Sequence, residues 1–183
     1  MIEVRVQSLG LDKASNTPVV ILQELEGERV LPIWIGPGEA SAIAMELAGM
    51  KFSRPLTHDL LASVISGLGA KLVRVLITKV MENTYYAELI VERDGELISV
   101  DARPSDSIAI ALRMGASILT TDELLEQNAV DVQEAGDVAD GDAFAIEPDD
   151  DDTKESKHSG LRADELKEYL KRLDPEDFGR FNP

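Results

Sequence analysis

Two Pro-led, Ala-rich segments of the chain repeat each other at an offset of 67 residues. The first starts at Pro37 and reads PGEASAIAMELAG, and the second starts at Pro104 and reads PSDSIAIALRMG. Each follows two segments that alternate apolar and polar residues, which is the pattern of a β-hairpin. Because proline is tolerated at the first position of a helix, each unit predicts a hairpin followed by a helix. We therefore expect an α+β domain with an internal duplication, mixed or antiparallel sheets, and two buried Ala-rich helices.

The other periodic segments predict the remaining elements of this domain. Asp94-Gly95 stands between two strand-like segments and favours a tight hairpin. Thr57 is expected to cap a helix that ends near Gly67 and Gly69 and buries one apolar face. The residues of that face are Leu61, Val64, Ile65 and Leu68. The predicted strands cover 2–10, 18–24, 29–35, 71–81, 85–93, 96–101 and 117–119, and the predicted helices cover 37–49, 57–69, 104–115 and 122–127.

Acidic residues are concentrated after the periodic part of the chain. The net charge of the 183 residues is −17, of which residues 128–160 contribute −9 and residues 1–127 contribute −7. The segment 128–160 has few large apolar residues, which predicts an acidic, disordered linker after a domain of residues 1–127. Residues 161–183 have helical periodicity with acids early and bases late. They predict an amphipathic helix with a short tail, which could dock on a protein partner.

The composition excludes several kinds of site. The chain has no cysteine, which rules out disulfides, thiolate metal sites and a cysteine nucleophile. Two histidines are too few for a multi-His zinc site. No apolar run reaches the ~18 residues of a spanning helix, and no signal-peptide pattern is present, so a cytoplasmic protein without membrane contact is expected. The acidic balance argues against nucleic-acid binding through a basic surface alone, but not against a contact bridged by a metal ion.

The motifs LPIWIGPGEASAIAMEL, RPLTHDLL and VDARPSDSIAIALR resemble those of the bifunctional nuclease family. The resemblance covers roughly residues 1–127, and LDPEDFGRF near the C-terminus is similar to the tail of some bacterial members. It implies a fold of duplicated β-α-β-β units, in agreement with the repeat. It also implies a nuclease that cleaves phosphodiester bonds of both DNA and RNA, with nucleic acid as its partner.

Two acidic residues occupy equivalent positions in the repeat. Glu39 lies two residues after Pro37, and Asp106 lies two residues after Pro104. The helix dipole alone favours an acid in the first turn of a helix, and this structural interpretation is the simpler one. In the functional alternative the two helix starts lie close together, and Glu39, Asp101 and Asp106 hold a divalent metal. Carboxylate-bound Mg²⁺ or Mn²⁺ would neutralise charge on a phosphate and activate a water molecule.

Three further residues near helix starts are candidates for the same site. His58 joins Glu39 and Asp106 as a catalytic candidate, because imidazole titrates near neutral pH and can act as a general base or acid. The alternative for His58 is packing at the start of its helix. Arg103 and Ser105 are candidates for substrate binding. Arg103 can hold a phosphate through its planar fork, or it can pair with a neighbouring acid.

Two functions remain open on the sequence alone. The first is a metal-assisted nuclease of broad specificity, and the second is a non-enzymatic module that senses a ligand or acts as an oligomeric adaptor. Convergence of Glu39, Asp101 and Asp106 on one cleft would favour the enzyme. If each of these acids only caps its own helix, the module is favoured. Trp34 is expected in the core or an interface, with base stacking as the alternative. The apolar edges of the two hairpins predict a homodimer or a higher homo-oligomer.

Overall fold

The computed structural model of the protein describes residues 1–12, 15–82 and 84–127. They form a seven-stranded sheet and four helices, which confirms the α+β class. The predicted linker 128–160 and the predicted helix and tail 161–183 lie outside the described residues. The strands are β1 (Ile2–Asp12), β2 (Thr17–Glu24), β3 (Val30–Trp34), β4 (Lys71–Met81), β5 (Thr84–Arg93), β6 (Glu96–Ala102) and β7 (Ser117–Thr120). The helices are α1 (Pro37–Leu47), α2 (Thr57–Gly67), α3 (Pro104–Met114) and α4 (Asp122–Gln127).

The sheet consists of two antiparallel three-stranded meanders that a single short strand joins. The strand order is β3-β2-β1-β7-β4-β5-β6. β7 pairs antiparallel with β1 and parallel with β4, so the sheet is mixed, as expected. In both halves a Pro-led helix follows the third strand, with α1 after β3 and α3 after β6. This order is compatible with a repeat of strands followed by a helix, and the duplication itself stays a prediction.

The main core lies on one face of this sheet because alternate residues of neighbouring strands point the same way. A second, smaller buried cluster consists of Val19, Ile21 and Val30. Leu22 opposes Leu31 in the first meander, and Val75 opposes Leu89 in the second; all four are buried. Helix α3 packs against α1, α2, β4 and β5, and its segment 108–111 is inaccessible to solvent. Helix α1 buries only one side, so the expectation of burial nearly all round holds for α3 alone. No helix within the described ranges is long and apolar enough to cross a membrane.

Local sequence fixes the points where chain direction changes. Asp94 and Gly95 have φ values of +54° and +82°, the left-handed pair that a type I′ hairpin turn requires. Pro37 and Pro104 are each the first residue of their helix, after Gly36 and Arg103 in extended conformation. The fixed φ of proline suits that position, where a backbone N–H would have no helical partner. The two helices therefore start abruptly at the ends of β3 and β6.

Helix α2 differs from the prediction in its cap and in its buried face. The helix begins at Thr57 itself, and the residue before it is Leu56, whose N–H donates to the carboxylate of Asp59 at 2.9 Å. Of its residues only Ile65 is buried. The other three residues of the predicted face, Leu61, Val64 and Leu68, are each at least 40% exposed. Periodicity identifies an apolar stripe, but it carries no information about which neighbour covers that stripe.

Candidate functional site

The starts of α1 and α3 line one pocket of about 340 Å³. Gly36 reaches it from the first repeat unit, and Arg103, Pro104 and Ser105 reach it from the second. The buried α3 fixes this arrangement, because it packs directly against α1. The remaining lining residues come from strand ends: Thr17, Ile33, Trp34, Ile35, Thr84 and Tyr85.

Arg103 joins the two acids that occupy equivalent positions in the repeat. Its Nη1 lies 2.8 Å from Oε1 of Glu39, and its Nε donates to Oδ2 of Asp106 at 2.7 Å. The Arg103 side chain is 66% exposed, whereas both carboxylates are largely covered. The hydrogen bond from Arg103 to Asp106 is the main cause that raises the pKa of the guanidinium, so it remains charged. Glu39 and Asp106 therefore contact the same cation, which lies between them, and Asp101 has no part in this contact.

Glu39 also folds back over the residue that precedes its helix. A Cβ added at Gly36 would lie 2.3 Å from Oε2 of Glu39, so only glycine leaves this space for the carboxylate. The acid lies at the positive end of α1, as the helix dipole favours. Glu39 thus lies over the start of its own helix, and it also reaches across to Arg103.

His58 belongs to the same cluster through Asp106. Its Nε2 lies 3.2 Å from Oδ1 of Asp106, and the imidazole is mostly buried. Burial alone would raise the pKa of Asp106, but the hydrogen bonds from Arg103 and His58 outweigh it and lower that pKa below its ordinary value. Asp106 is therefore ionised at neutral pH. A half-buried carboxylate beside an imidazole can orient the ring and stabilise its protonated form.

Two serines of α3 are buried. Ser105 lines the pocket and is 7% exposed. Ser107 is fully buried, and its hydroxyl has no hydrogen-bond partner among the described residues. A buried hydroxyl without a partner costs free energy. At Ser105 the hydroxyl borders the pocket, so it can donate to a ligand bound there.

Sequence reasoning missed Arg113, which holds the three helices α1, α2 and α3 together. Its side chain is 6% exposed; its Nε donates to Oδ1 of Asp59 at 2.5 Å, and its Nη2 donates to the carbonyl of Ala42 in α1. The Arg113 hydrogen bond is the main cause that lowers the pKa of Asp59, followed by the hydrogen bond from Leu56 N–H. Because Asp59 neighbours His58 in the chain, this contact positions the start of α2. The available signal was a single cation in the apolar run IAIALRMG.

The predicted metal ligands do not form one group. Glu39 and Asp106 meet only through Arg103, and no hydrogen bond or ion pair of the described residues joins Asp101 to them. Within the described ranges, no three carboxylate or imidazole groups lie together as metal ligands would. The arrangement as it stands does not fit a divalent ion, because the Arg103 guanidinium lies where that ion would neutralise the two acids. A metal at Glu39, Asp101 and Asp106 stays a prediction.

Comparison with known proteins gives one family and two kinds of relative. Residues 20–133 match the family described as the Bifunctional nuclease domain. An uncharacterized protein of Mycobacterium tuberculosis is 42% identical over 179 residues, which cover 96% of this chain and 97% of that one. The matched region extends beyond residue 127 and so includes parts of the acidic segment and the C-terminal region.

The plant relatives are more distant and much longer. Bifunctional nuclease 1 of Arabidopsis thaliana is 25% identical over 131 residues, which cover 70% of this chain and 40% of that protein. Bifunctional nuclease 2 of Oryza sativa subsp. japonica is 28% identical over 111 residues, which cover 58% of this chain and 34% of that protein. The matched part is therefore about two fifths or less of each plant protein.

Proposed function

Because the chain belongs to the bifunctional nuclease domain family, we propose that it is a nuclease that hydrolyses phosphodiester bonds of DNA and RNA at the pocket between α1 and α3. One observation carries the proposal: Arg103, at the mouth of this pocket, is mostly exposed and is held by two acids from different helices. The plant relatives whose names describe them as bifunctional nucleases support the same reaction.

Arg103 and Ser105 are the groups that would hold the phosphate. A guanidinium binds a phosphate through parallel hydrogen bonds, and its charge offsets the charge that develops on the phosphoryl oxygens. Because the Arg103 side chain is mostly exposed, it can turn from the carboxylates toward a phosphate without unpacking the core. The Ser105 hydroxyl, which lines the pocket, adds a second donor from the start of α3.

His58 and Asp106 are the groups that would handle the proton. With Nε2–H donating to Asp106, the Nδ1 atom of His58 is an acceptor that can remove a proton from a water molecule. Asp106 then stabilises the imidazolium, as a carboxylate partner of a catalytic histidine does. Water attacks phosphorus, the bond to the leaving sugar oxygen breaks, and that oxygen takes up a proton from the solvent while His58 releases the one it removed, so the products are a phosphate monoester and a free hydroxyl. Glu39 keeps Arg103 in place before a substrate binds.

The sequence also predicts a divalent cofactor, Mg²⁺ or Mn²⁺, and the contacts of the described residues support this prediction least. Arg103 already supplies a positive charge between Glu39 and Asp106. If a metal takes part, Arg103 must leave these acids, and Asp101 must come to them. Substitution of Asp101 therefore separates the two arrangements, since a role for this residue is expected only with a metal.

A second candidate function, an oligomeric or ligand-sensing module, is favoured by exposed apolar residues on β6. This strand is at one edge of the described sheet and has Ile98 and Val100 exposed. They stand opposite Val91 and Leu89 of β5, so they continue the apolar core face beyond its last covered strand. We propose that a second copy of the chain covers this edge in a homodimer. A cytoplasmic location and a protein partner of residues 161–183 also stay predictions.

The test is cleavage of single-stranded RNA and DNA by the full chain, with Mg²⁺, with Mn²⁺ and with EDTA. We expect Arg103→Gln, Glu39→Gln and Asp106→Asn to lose cleavage, with a loss of about 10²–10³ in kcat for Arg103, as for other oxyanion donors. The matched control is Arg93→Gln, because Arg93 is exposed and pairs only with its neighbour Asp94 in the described ion pairs. The control should cleave like the wild type.

Each outcome of this test separates the candidates. Loss of cleavage in the three variants but not in the control supports the proposed site. Cleavage that survives EDTA and Asp101→Asn supports the arginine-based arrangement, whereas loss with both supports the metal. Absence of cleavage by the wild type under all three conditions, or equal cleavage by every variant, contradicts the nuclease and favours the module.

A further inference from the structure

Trp34 is the one aromatic side chain in the pocket lining that is half-exposed, and the proposed hydrolysis gives it no role. It ends the edge strand β3 and is 51% exposed. Its indole N–H donates to Oδ2 of Asp12 at 3.1 Å, which fixes the ring by its polar edge. An indole that is held at the edge keeps its aromatic surface for contact with a ligand.

The composition of the pocket fits one nucleotide. Its volume of about 340 Å³ is at the lower end of the range for small-molecule sites, which is about 300–1,000 Å³. One part of its lining can hold an anion, with Arg103 and the Ser105 hydroxyl at the start of α3. The other part consists of strand ends with the rings of Trp34 and Tyr85 and the hydroxyls of Thr17 and Thr84. A nucleotide has matching groups: a charged phosphate for the first part, and a sugar with hydroxyls and a flat aromatic base for the second.

We propose that the pocket binds one unpaired nucleotide, whose base stacks on Trp34 while its phosphate lies at Arg103 and Ser105. The inference rests on the proposed nuclease function and names the form of its substrate. Stacking on an aromatic ring accepts any base, because every base has a π-face. It requires the base to be outside a duplex, because a paired base already stacks on its neighbours. The protein therefore acts on single strands and unpaired ends in preference to duplexes.

The acidic character of the domain makes such a contact more important. Residues 1–127 contribute a net charge of −7, so general attraction to the phosphate backbone cannot supply most of the affinity. A base stacked on an aromatic side chain does not depend on the net charge of the surface. Loss of the ring should therefore weaken binding by about tenfold, within the range found for single stacked bases.

The experiment uses Trp34 as its own reporter, since it is the one tryptophan of the chain. The full chain is titrated with adenosine monophosphate, with ribose 5-phosphate and with inorganic phosphate, and tryptophan fluorescence is followed. We expect quenching and tighter binding with adenosine monophosphate, and weak binding with the two ligands that lack a base. Calorimetry then compares Trp34→Phe, which keeps an aromatic ring, with Trp34→Leu, which keeps only apolar bulk. We expect near wild-type affinity for the first variant and about tenfold weaker affinity for the second.

Equal affinity for adenosine monophosphate and ribose 5-phosphate, or equal affinity of the two Trp34 variants, overturns the proposal. Absence of nucleotide binding overturns it too. Circular dichroism of both variants confirms that each is folded. Binding is measured without turnover, so a protein that stacks the base but cleaves nothing contradicts only the nuclease. A protein that cleaves single strands and duplexes equally well, with no response at Trp34, contradicts only the stacking.

Discussion

Replacement of Arg113 by methionine should destabilise the domain by disconnecting its three longer helices. Methionine keeps most of the buried stem of the side chain, but it removes the hydrogen bonds to Asp59 and to the carbonyls of Ala42 and Ala109. The ion pair between Arg113 and Asp59 is the principal loss. The Arg113 side chain is 6% exposed, so in the variant little water can reach this position to replace the lost hydrogen bonds.

The magnitude follows from the unequal burial of the two partners. Removal of one partner of a fully buried pair costs about 3–5 kcal/mol. Asp59 keeps 31% of its side chain exposed, so water partly compensates the carboxylate, and the cost is smaller. We expect the free energy of unfolding of Arg113→Met to fall by about 2–4 kcal/mol, which is a decrease of about 5–15 °C in Tm for a protein of this size.

Urea denaturation followed by circular dichroism measures this change. The matched control is Arg93→Met, since Arg93 is exposed and should alter stability by less than about 0.5 kcal/mol. A double-mutant cycle with Asp59→Asn isolates the pair, and its coupling energy should be about 1–3 kcal/mol. A stability of Arg113→Met equal to that of the control, or a coupling energy near zero, would refute the role assigned to Arg113.

Three other predictions follow from the contacts described above. Gly36→Ala should displace the Glu39 carboxylate and lower cleavage at little cost in stability. The control is Gly38→Ala, whose Cβ meets nothing within 4 Å and which should retain cleavage. The cleavage kinetics and the Tm of both variants test this prediction. Ile98→Lys or Val100→Lys should convert the proposed dimer to a monomer. The mass is measured by light scattering on the full chain, and an unchanged mass contradicts the β6 interface. Stability should decline in acid, because the lowered pKa of Asp59 contributes at neutral pH and this contribution is lost as the pH falls through that pKa; Asp59→Asn should reduce the slope of Tm against pH below about pH 4.

Much of the fold could be predicted because local rules determine it. The turn at Asp94-Gly95 depends on positive φ values that few residues accept, and the helix starts at Pro37 and Pro104 suit the fixed φ and missing N–H of proline. The structure confirms all three. The exposed side of α2 could not be predicted in this way. Leu61 and its neighbours form an apolar stripe, and whether such a stripe is covered depends on the rest of the fold.

The candidate site depends on contacts between residues far apart in the chain, and the sequence left two interpretations of its acids open. Glu39 and Asp106 contact the same Arg103, and their equivalent positions in the repeat are a sequence signal for such proximity. The sharing of Arg103 between them depends on how α1 packs against α3, which no local pattern specifies. Similarly, no periodicity brings Trp34 and Ser105 to one pocket, because Trp34 ends a strand of the first meander and Ser105 lies in the helix that follows the second.

The position of β7 has a consequence for synthesis of the chain. This four-residue strand is the last of the seven described strands to leave the ribosome, yet it lies at the centre of the sheet. Until it emerges, β1 and β4 each have one side without a hydrogen-bonding partner from this sheet. Unpaired strand edges on a nascent chain invite association with other chains. Fast translation of the segment between β6 and β7 therefore shortens the interval in which two nascent copies can pair wrongly. A chaperone that covers the two strand edges during this interval has the same protective effect.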